Sequence, residues 1–466
     1  MNYVSTRGKA PILPFDDVLL AGLARDGGLY VPATWPALDT SARTEMAALS
    51  YADLAFRVVR PFVGGTISDD DLAAIVADSY AGFDHPDVAP LCALGKNEWL
   101  MELFHGPTIA FKDYALQLLG RLFDHVLKVR GQRVTIVAAT SGDTGSAAIE
   151  ACRGRDAIDI FVLHPKGRVS DVQRRQMTTV RDANVHNIAI EGTFDDCQDM
   201  VKAMFNDETF RDAQNLSAVN SINWARIMAQ VAYYVRAWSK IEGAEGGIDF
   251  SVPTGNFGNV FAGYVAKHSG LPIERLIIGS NRNDILTRFF ETATMQARDV
   301  IPTLSPSMDI QISSNFERLL FDLMDRDGAR VSETLEAFRR TGSFTMDKAA
   351  FEKAIGIFSG ARFDDEETKA TIKQVFDQTG MLLDPHSAVG VAAARRVGRQ
   401  GDRPMVVLAT AHPAKFPDAV KAATGQHPEL PPHMADLFER EEKMTTLPND
   451  LGQVQAFVAG LSRANG

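Results

Sequence analysis

The sequence is poor in cysteine and has no long apolar run. Its three cysteines among 466 residues, Cys92, Cys152 and Cys197, form no C-x-x-C pair. This argues against a disulfide framework or a zinc site and favours a reducing compartment. No uncharged apolar stretch approaches the roughly 18 residues of a membrane span, and the N-terminus has no apolar segment typical of a signal peptide. We therefore expect a cytoplasmic globular protein that does not bind membranes.

Several ligand motifs are also absent. There is no G-x-x-x-x-G-K-[ST] loop and no G-x-G-x-x-G opening a helix, so neither a nucleoside-triphosphatase nor a dinucleotide site is indicated. No H-E-x-x-H or Cys/His spacing points to a metal centre, and we expect no metal. The net charge of -11 argues against nucleic acid or an anionic membrane surface as a partner.

The sequence does contain enough apolar residues, 45%, to bury a large core, and its length suggests two or three domains. The region 1–90 has mainly helical patterns, over 15–23, 50–62 and 72–80. The acidic run that follows Ser68 could be a set of metal ligands, but it fits a helix N-cap and first turn better.

From about residue 98, short apolar strands alternate with long helices, which predicts open, mostly parallel α/β sheets. Helices are expected over 112–129 and 222–241. The candidate strands are 134–139, 160–163, 185–190, 249–252, 275–278 and 405–409. We expect a catalytic core of two α/β subdomains over 91–427. Beyond it, a Pro-rich stretch and a charged helical pattern over 434–444 indicate a C-terminal extension, 428–466, packed on the surface.

Three predicted strands end in loops rich in Gly, Ser, Thr or Asn, at 140–146, 253–259 and 410–416. A loop of this kind that feeds a helix can bind an anion through free N–H groups and the helix dipole. Each loop alone could be ordinary turn and capping chemistry. Because several occur in one predicted sheet, they favour a phosphorylated ligand, and an organic phosphate cofactor is consistent with the missing nucleotide and metal motifs.

Lys112 follows an apolar segment and begins a predicted amphipathic helix. The helix dipole disfavours a cation in the first turn and would lower the pKa of this lysine. Lysines with a lowered pKa form Schiff bases with carbonyl cofactors and then transfer protons. The alternative is a surface lysine paired with Asp113. The neighbouring phosphate-type loops favour the first interpretation.

Seven further segments occur in a characteristic order. They are H-G-P-T-I-A-F-K-D at 105–113, A-T-S-G-D-T-G at 139–145, P-K-G-R-V-S-D-V-Q at 165–173, N-S-I-N-W-A-R at 220–226, P-T-G-N-F-G-N at 253–259, D-P-H-S-A-V-G at 384–390 and T-A-H-P-A-K-F at 410–416. Taken together, these segments resemble threonine synthases, pyridoxal-phosphate enzymes of fold type II in the tryptophan synthase β-subunit family. The N-terminal segment D-G-G-L-Y-V-P at 26–32 resembles the longer members as well.

The resemblance implies a carbon–oxygen lyase that converts O-phospho-L-homoserine and water into L-threonine and phosphate, the last step of threonine biosynthesis. It implies that Lys112 forms the Schiff base with pyridoxal 5′-phosphate and acts as the acid and base. Thr410 would hydrogen-bond the pyridine nitrogen. The cofactor phosphate would bind backbone N–H groups of Gly255, Asn256, Phe257, Gly258 and Asn259.

The loop 141–145 resembles the segment that holds the substrate carboxylate and lies beside the cofactor ring. Related shorter enzymes have Asn where this chain has Asp143, a further cofactor-binding candidate. An ionised aspartate cannot donate to the cofactor's phenolate oxygen, so Asp143 is either protonated or has another role. The remaining substrate-binding candidates, with an arginine fork suited to phosphate, are Ser141, Thr144, Arg168, Asn220 and Arg226. We also expect the smaller domain to close over the substrate.

Two other functions stay open. One is a threonine or serine dehydratase, or another β-replacement enzyme, on the same fold. The other is a catalytically inactive homologue that binds amino acids or a partner. The retained Lys112 and phosphate loop argue against inactivity. We expect a small-molecule substrate and a monomer or homodimer.

Overall fold

The N-terminal region of the computed structural model, which describes residues 1–219 and 221–464, joins a small sheet to helices. Its elements are β1 (Asn2–Ser5), β2 (Leu13–Pro14), α1 (Phe15–Ala21), β3 (Tyr30–Pro32), α2 (Arg43–Ala48), α3 (Tyr51–Val63) and α4 (Asp69–Tyr80). β1 pairs antiparallel with both β2 and β3. The sequence predicted the helices but not this sheet, because such short strands show no measurable alternation.

The acidic run that follows Ser68 forms the first turn of α4, as predicted. The Ser68 hydroxyl accepts a hydrogen bond from the Asp71 amide, and the three aspartates occupy the first turn. Among the described residues, no group of three or more His, Cys, Asp or Glu side chains is arranged to hold a metal ion.

The next part of the chain alternates strands and helices and contributes strands to both large sheets. Its elements are β4 (Leu91–Gly95), β5 (Glu98–Glu102), α5 (Lys112–Arg130), β6 (Val134–Ala139), α6 (Asp143–Cys152), β7 (Ile158–Pro165), α7 (Asp171–Thr178), β8 (Val185–Glu191), α8 (Phe194–Asn206), α9 (Glu208–Ala213) and β9 (Leu216–Ser217). Every residue of β7 is buried, which explains its continuous apolar sequence.

The alternation continues to residue 424. The elements are α10 (Trp224–Lys240), β10 (Ile248–Pro253), α11 (Gly258–His268), β11 (Ile273–Ser280), α12 (Ile285–Thr292), β12 (Thr294–Gln296), α13 (Phe316–Leu323), α14 (Gly328–Thr341), β13 (Ser343–Thr345), α15 (Lys348–Ile355), β14 (Phe358–Arg362), α16 (Asp365–Thr379), α17 (Pro385–Val397), β15 (Met405–Ala409) and α18 (Pro417–Thr424). All six strands predicted from residue 134 onward are present, with bounds that shift by at most two residues.

The C-terminal extension differs from its prediction. No α-helix covers 434–444, where the chain forms turns after a short 3₁₀ turn at Pro432–Met434. The charged side chains that suggested a helix instead pair with α7: Glu442 contacts Arg174 and Arg175. The extension then adds β16 (Thr445–Pro448) and α19 (Leu451–Leu461). β16 pairs parallel to β8, so the extension completes a sheet as well as packing on the surface.

The two large sheets have the orders β14-β11-β10-β15-β5-β4 and β16-β8-β7-β6-β9. All their pairings are parallel except β4 with β5. Helices α3, α5 and α10 pack against one another in the main core. The loops after β10 and β15 leave the carboxyl edge of one sheet, where they can share a site. The loop after β6 belongs to the other sheet, so the expectation that all three loops lie on one sheet is wrong. No helix among the described residues is both long and apolar enough to cross a bilayer.

Candidate active site

A cleft of about 730 Å³, including its open mouth, lies at the carboxyl ends of β6, β10 and β15. Most of the predicted site residues meet there. Those that line the cleft are Lys112, Asp143, Thr144, Arg226, Gly255, Asn256, Phe257, Gly258, Asn259 and Thr410. Loops separated widely in the sequence thus converge on one space.

Two of the predicted residues that the structure describes are not part of this lining. Ser141 is exposed in the loop before α6, and Arg168 is exposed in the turn after β7. Both follow strands of the same sheet at the edge that carries the cleft. Asn220 lies outside the described residues.

Lys112 is the first residue of α5, as predicted, and is buried. Its Nζ lies 3.1 Å from Asp143 Oδ2. The alternative pairing with Asp113 is wrong, because that carboxylate turns back to the amide and hydroxyl of Thr108. Burial lowers the pKa of Lys112, and the positive charges of Lys415 and Arg226 lower it further against the opposing attraction of Asp143. The site therefore favours an amine that can lose its proton.

Asp143 begins α6 and accepts hydrogen bonds from several donors. Gln173 Nε2 lies 2.8 Å from its Oδ1, and Lys415 Nζ lies 3.0 Å from the same oxygen. Burial by itself would raise the pKa of Asp143, but Lys112, Lys415 and the Gln173 amide hold that pKa well below its usual range. The surroundings therefore favour the ionised carboxylate over the protonated one.

The loop after β10 leads into α11 with its first-turn amides uncapped. Phe257 is the N-cap residue, with φ of 62° and no side-chain capping bond. The first amides of a helix have no partner within the helix, so this turn is suited to an anion. A Cβ on Gly255 would lie 2.6 Å from the Ser307 carbonyl oxygen, which explains why the close approach here requires glycine.

Two side chains at the start of α13, Asn315 and Arg318, hold this loop in place. Asn315 Nδ2 donates to the Asn256 carbonyl oxygen at 3.0 Å. The fully buried guanidinium of Arg318 contacts Asn315 Oδ1 and donates to the Tyr30 carbonyl oxygen at 3.0 Å. The N-terminal sheet and the anion-binding loop are thereby joined through two side chains.

Arg226 is buried on α10 and faces the cleft, so it is not the surface side chain that its position in a helix would suggest. No acceptor among the described residues lies within hydrogen-bond distance of its Nε or Nη1. Burial lowers the pKa of this guanidinium to about 10. A buried cation with two unused donors is costly unless a ligand supplies an acceptor.

Sequence analysis did not assign Ser307, His386 or Lys415 to the site. The Ser307 amide donates to His386 Nε2 at 3.2 Å, and His386 Nδ1 lies 2.7 Å from Asp384 Oδ1. This pattern places the ring proton on Nδ1. The motifs at 384–390 and 410–416 contain His386 and Lys415, which was the available signal; Ser307 belongs to no such motif.

These features fit pyridoxal phosphate. The cleft offers a buried lysine, an uncapped helix start for a phosphate, and Thr410 whose amide is fixed by Ser387 at 3.0 Å. The two unused donors of Arg226 show that the cleft is suited to a further anionic group.

Comparisons with known proteins agree with this chemistry. The family models "Threonine synthase N terminus", "Pyridoxal-phosphate dependent enzyme" and "Threonine synthase, C-terminal" match residues 2–80, 89–342 and 387–458. The threonine synthase of Pseudomonas aeruginosa is 57% identical over 98% of both chains. That of Corynebacterium glutamicum is 44% identical, with the same coverage. The PLP-bound threonine synthase structure from Brucella melitensis superposes with a TM-score of 0.98 at 55% identity, covering 100% of both chains. The chain belongs to the threonine synthase family of pyridoxal-phosphate-dependent enzymes.

Proposed function

We propose that the protein converts O-phospho-L-homoserine and water into L-threonine and inorganic phosphate. One observation supports this above the others: a buried lysine faces a cleft with two separate anion-binding features, the start of α11 and Arg226. A phosphorylated cofactor would use one of them and a phosphorylated substrate the other. Membership of the threonine synthase family supports the same reaction.

In this proposal Lys112 is the acid and base. Bound pyridoxal phosphate acidifies the hydrogens of the amino acid joined to it by withdrawing electrons. The Lys112 amine removes the proton at Cα, and its lowered pKa leaves more of it neutral for that purpose. It would pass that proton to C4′ of the cofactor, and the amine, neutral again, would take a proton from Cβ before phosphate leaves Cγ. It would then return one proton to Cγ and, as water adds at Cβ, the other to Cα.

The remaining residues bind and orient. The amides at 255–259 would hold the cofactor phosphate, and the Thr410 hydroxyl would contact the pyridine nitrogen. Arg226 and Thr144 would hold the substrate phosphate inside the cleft, where charge-assisted bonds are strong. Ser141 would bind the substrate carboxylate. We propose that Arg168 reaches the phosphate from the cleft mouth once the smaller sheet moves toward the larger, with Asn220 as a further contact.

Binding and location are part of the proposal. The negative net charge supports a protein that acts on small molecules without nucleic acid. The three cysteines are free thiols, which supports a reducing, cytoplasmic compartment. We also propose a monomer or homodimer, to be measured by light scattering, and retain the division into 1–90, 91–427 and 428–466.

The test begins with a visible absorbance spectrum of the purified protein, followed by addition of O-phospho-L-homoserine. We expect an absorbance band that shifts on addition, with phosphate and threonine released in equal amounts. A band without phosphate release would contradict the substrate. Formation of 2-oxobutyrate from threonine, or of pyruvate from serine, would instead indicate a dehydratase. The absence of a band, even after added pyridoxal phosphate, would contradict the role given to the cleft.

A further inference from the structure

Lys415 is a fully buried lysine that the proposed reaction does not use. It ends the short 3₁₀ turn Pro413–Lys415 that follows β15, and its side chain has no exposed surface. Its Nζ has three acceptors: Asp143 Oδ1 at 3.0 Å, the Thr108 carbonyl oxygen at 2.8 Å and Gln176 Oε1 at 3.1 Å. A buried ammonium needs such partners, and here each of its three protons has one.

Asp143 consequently lies between two lysines. Oδ1 faces Lys415, and Oδ2 faces Lys112 at 3.1 Å. Gln173 donates to Oδ1, and the Ser307 hydroxyl lies 3.4 Å from Oδ2. Every group that contacts the carboxylate is therefore a donor, and two of them are cations.

The two lysines differ in what they are free to do. Lys112 lines the cleft, whereas Lys415 is not part of its lining and is saturated by protein acceptors. The charge on Lys112 changes when it binds a carbonyl or transfers a proton, whereas Lys415 takes part in neither step.

We propose that Lys415 is a positioning residue that acts through Asp143, keeping this carboxylate ionised and aimed at Lys112 while Lys112 gains and loses protons. The inference rests on the proposed function, since it assumes that Lys112 is the acid and base.

The physical reason is the cost of a lone buried charge. If Lys112 became neutral and Asp143 had no other cation, burial would favour protonation of the carboxylate, which would then take the proton intended for the substrate. By stabilising the ionised carboxylate, Lys415 prevents Asp143 from competing for this proton. Its positive charge also repels a proton on Lys112, together with Arg226. Two further titratable groups among the described residues act on this cluster: His386, from α17, on Asp143, and the buried carboxyl of Asp113, from α5, on Lys415.

The test compares three variants: Lys415→Met, which removes the charge at similar length, Lys415→Arg, which keeps it, and Asp143→Asn. The first readout is the pH titration of visible absorbance in the cofactor-loaded protein. K415M should move this titration up by about one pH unit, because a repelling cation near Lys112 is lost. D143N should move it down, and K415R should leave it in place. The acid limb of the pH–kcat/KM profile should move in the same directions.

The second readout is urea denaturation of the apoproteins, which needs no activity. D143N leaves two lysines facing each other without a counter-charge, so its midpoint should fall. Adding K415M to D143N should raise the midpoint again, which is the coupling expected for an ion pair. If the two substitutions are additive, or if K415M and D143N shift the absorbance titration in the same direction, the inference is wrong.

Two outcomes separate this inference from the proposed function. If O-phospho-L-homoserine releases no phosphate, the proposed function fails, but the absorbance titration and the denaturation cycle still decide the role of Lys415. If K415M does not fold, the absorbance titrations of K415R and D143N test the role of Lys415 instead. A titration midpoint in D143N equal to that of the wild type would then overturn the inference.

Discussion

Replacement of Arg226 by Met should change activity and stability in opposite directions. The guanidinium is buried, and its Nε and Nη1 have no acceptor among the described residues. A ligand phosphate would complete both hydrogen bonds. In the absence of ligand the same donors are unsatisfied in the protein interior, which destabilises the fold.

The magnitudes follow from these two donors. Hydrogen bonds to charged groups contribute about 1.5–3 kcal/mol each, so losing two lowers kcat/KM by roughly 10²–10⁴-fold at about 1.4 kcal/mol per tenfold. An unsatisfied buried donor costs about 1–3 kcal/mol. The free energy of unfolding of the R226M apoprotein should therefore exceed that of the wild-type apoprotein by at least about 1 kcal/mol. Steady-state phosphate release and urea denaturation measure the two effects.

Arg236 provides a matched control on the same helix. It is also buried and its Nε likewise has no acceptor among the described residues, but its Nη1 donates to the Leu49 carbonyl oxygen at 3.0 Å and it does not line the cleft. R236M should keep kcat/KM, and its gain in stability should be smaller than that of R226M because it removes one unsatisfied donor and also loses a hydrogen bond. The reasoning about Arg226 is refuted if R226M is less stable than wild type, or if its kcat/KM stays within tenfold. A loss of affinity for pyridoxal phosphate, with KM unchanged, would assign the arginine to the cofactor instead of the substrate.

Three further changes test other parts of the site. Lys112→Ala should abolish turnover and the visible cofactor band; more than trace activity would contradict its assignment. Gly255→Ala should weaken cofactor binding at least tenfold by pushing against the Ser307 carbonyl oxygen, measured by titrating apoprotein with pyridoxal phosphate, whereas Gly246→Ala, in open space, should not. Burial lowers the pKa of His105, but its two carboxylate partners raise it above the usual value overall. Its protonated form therefore stabilises the fold below about pH 6.5, and that contribution is lost as pH rises through the raised pKa. The urea denaturation midpoint should accordingly include a contribution from His105 at about pH 5 that is absent at about pH 8, and His105→Gln should remove it. If the difference between the two midpoints is the same in His105→Gln as in the wild type, the reasoning is refuted.

The sequence predicted the central part of the site because of one property of parallel sheets. Loops after strands that lie side by side must emerge at the same edge, so the polar loops at 253–259 and 410–416, which follow the neighbouring strands β10 and β15, could be expected to meet. The loop at 140–146 follows a strand of the other sheet, and this rule does not predict its place at the cleft. Lys112 was identified by its position at a helix start beside an apolar segment. The structure brings it within 3.1 Å of Asp143, which begins the next helix.

The partners of these residues could not be predicted in the same way. Lys415 and Ser307 contact Asp143 from segments far away in the chain, and neither a propensity nor a period determines which distant side chains pack together. A lysine in a loop after a strand is usually exposed. Only the packing of that loop against α7 and the segment before α5 shows that Lys415 is buried, through its bonds to Gln176 and Thr108.

The C-terminal error has a similar cause. The charged pattern over 434–444 is compatible with a helix, but tertiary contacts outweigh that weak preference. Glu442 pairs with Arg174, and the Lys443 amide donates to the Thr178 carbonyl oxygen, so the chain follows the surface of α7. β16 was missed because it is four residues long and ends in proline, and only its pairing with β8 identifies it as a strand.

Tyr30, Arg318, Asn315 and Asn256 are connected by side-chain contacts to backbone and side chain. These contacts limit where the chain could be cut to give new termini in a circular permutant. A circular permutant opened before α1 would separate β1 from β3, and a shortened chain lacking β3 would leave the buried guanidinium without one of its acceptors. Either change would weaken the support of the loop after β10, whose Asn256 carbonyl oxygen accepts a hydrogen bond from Asn315. The exposed turn at 399–402 has no such attachment to the cleft and is the better place for new termini. The strand β3 thus helps to support the loop at the cleft, although it lies far from that loop in the sequence.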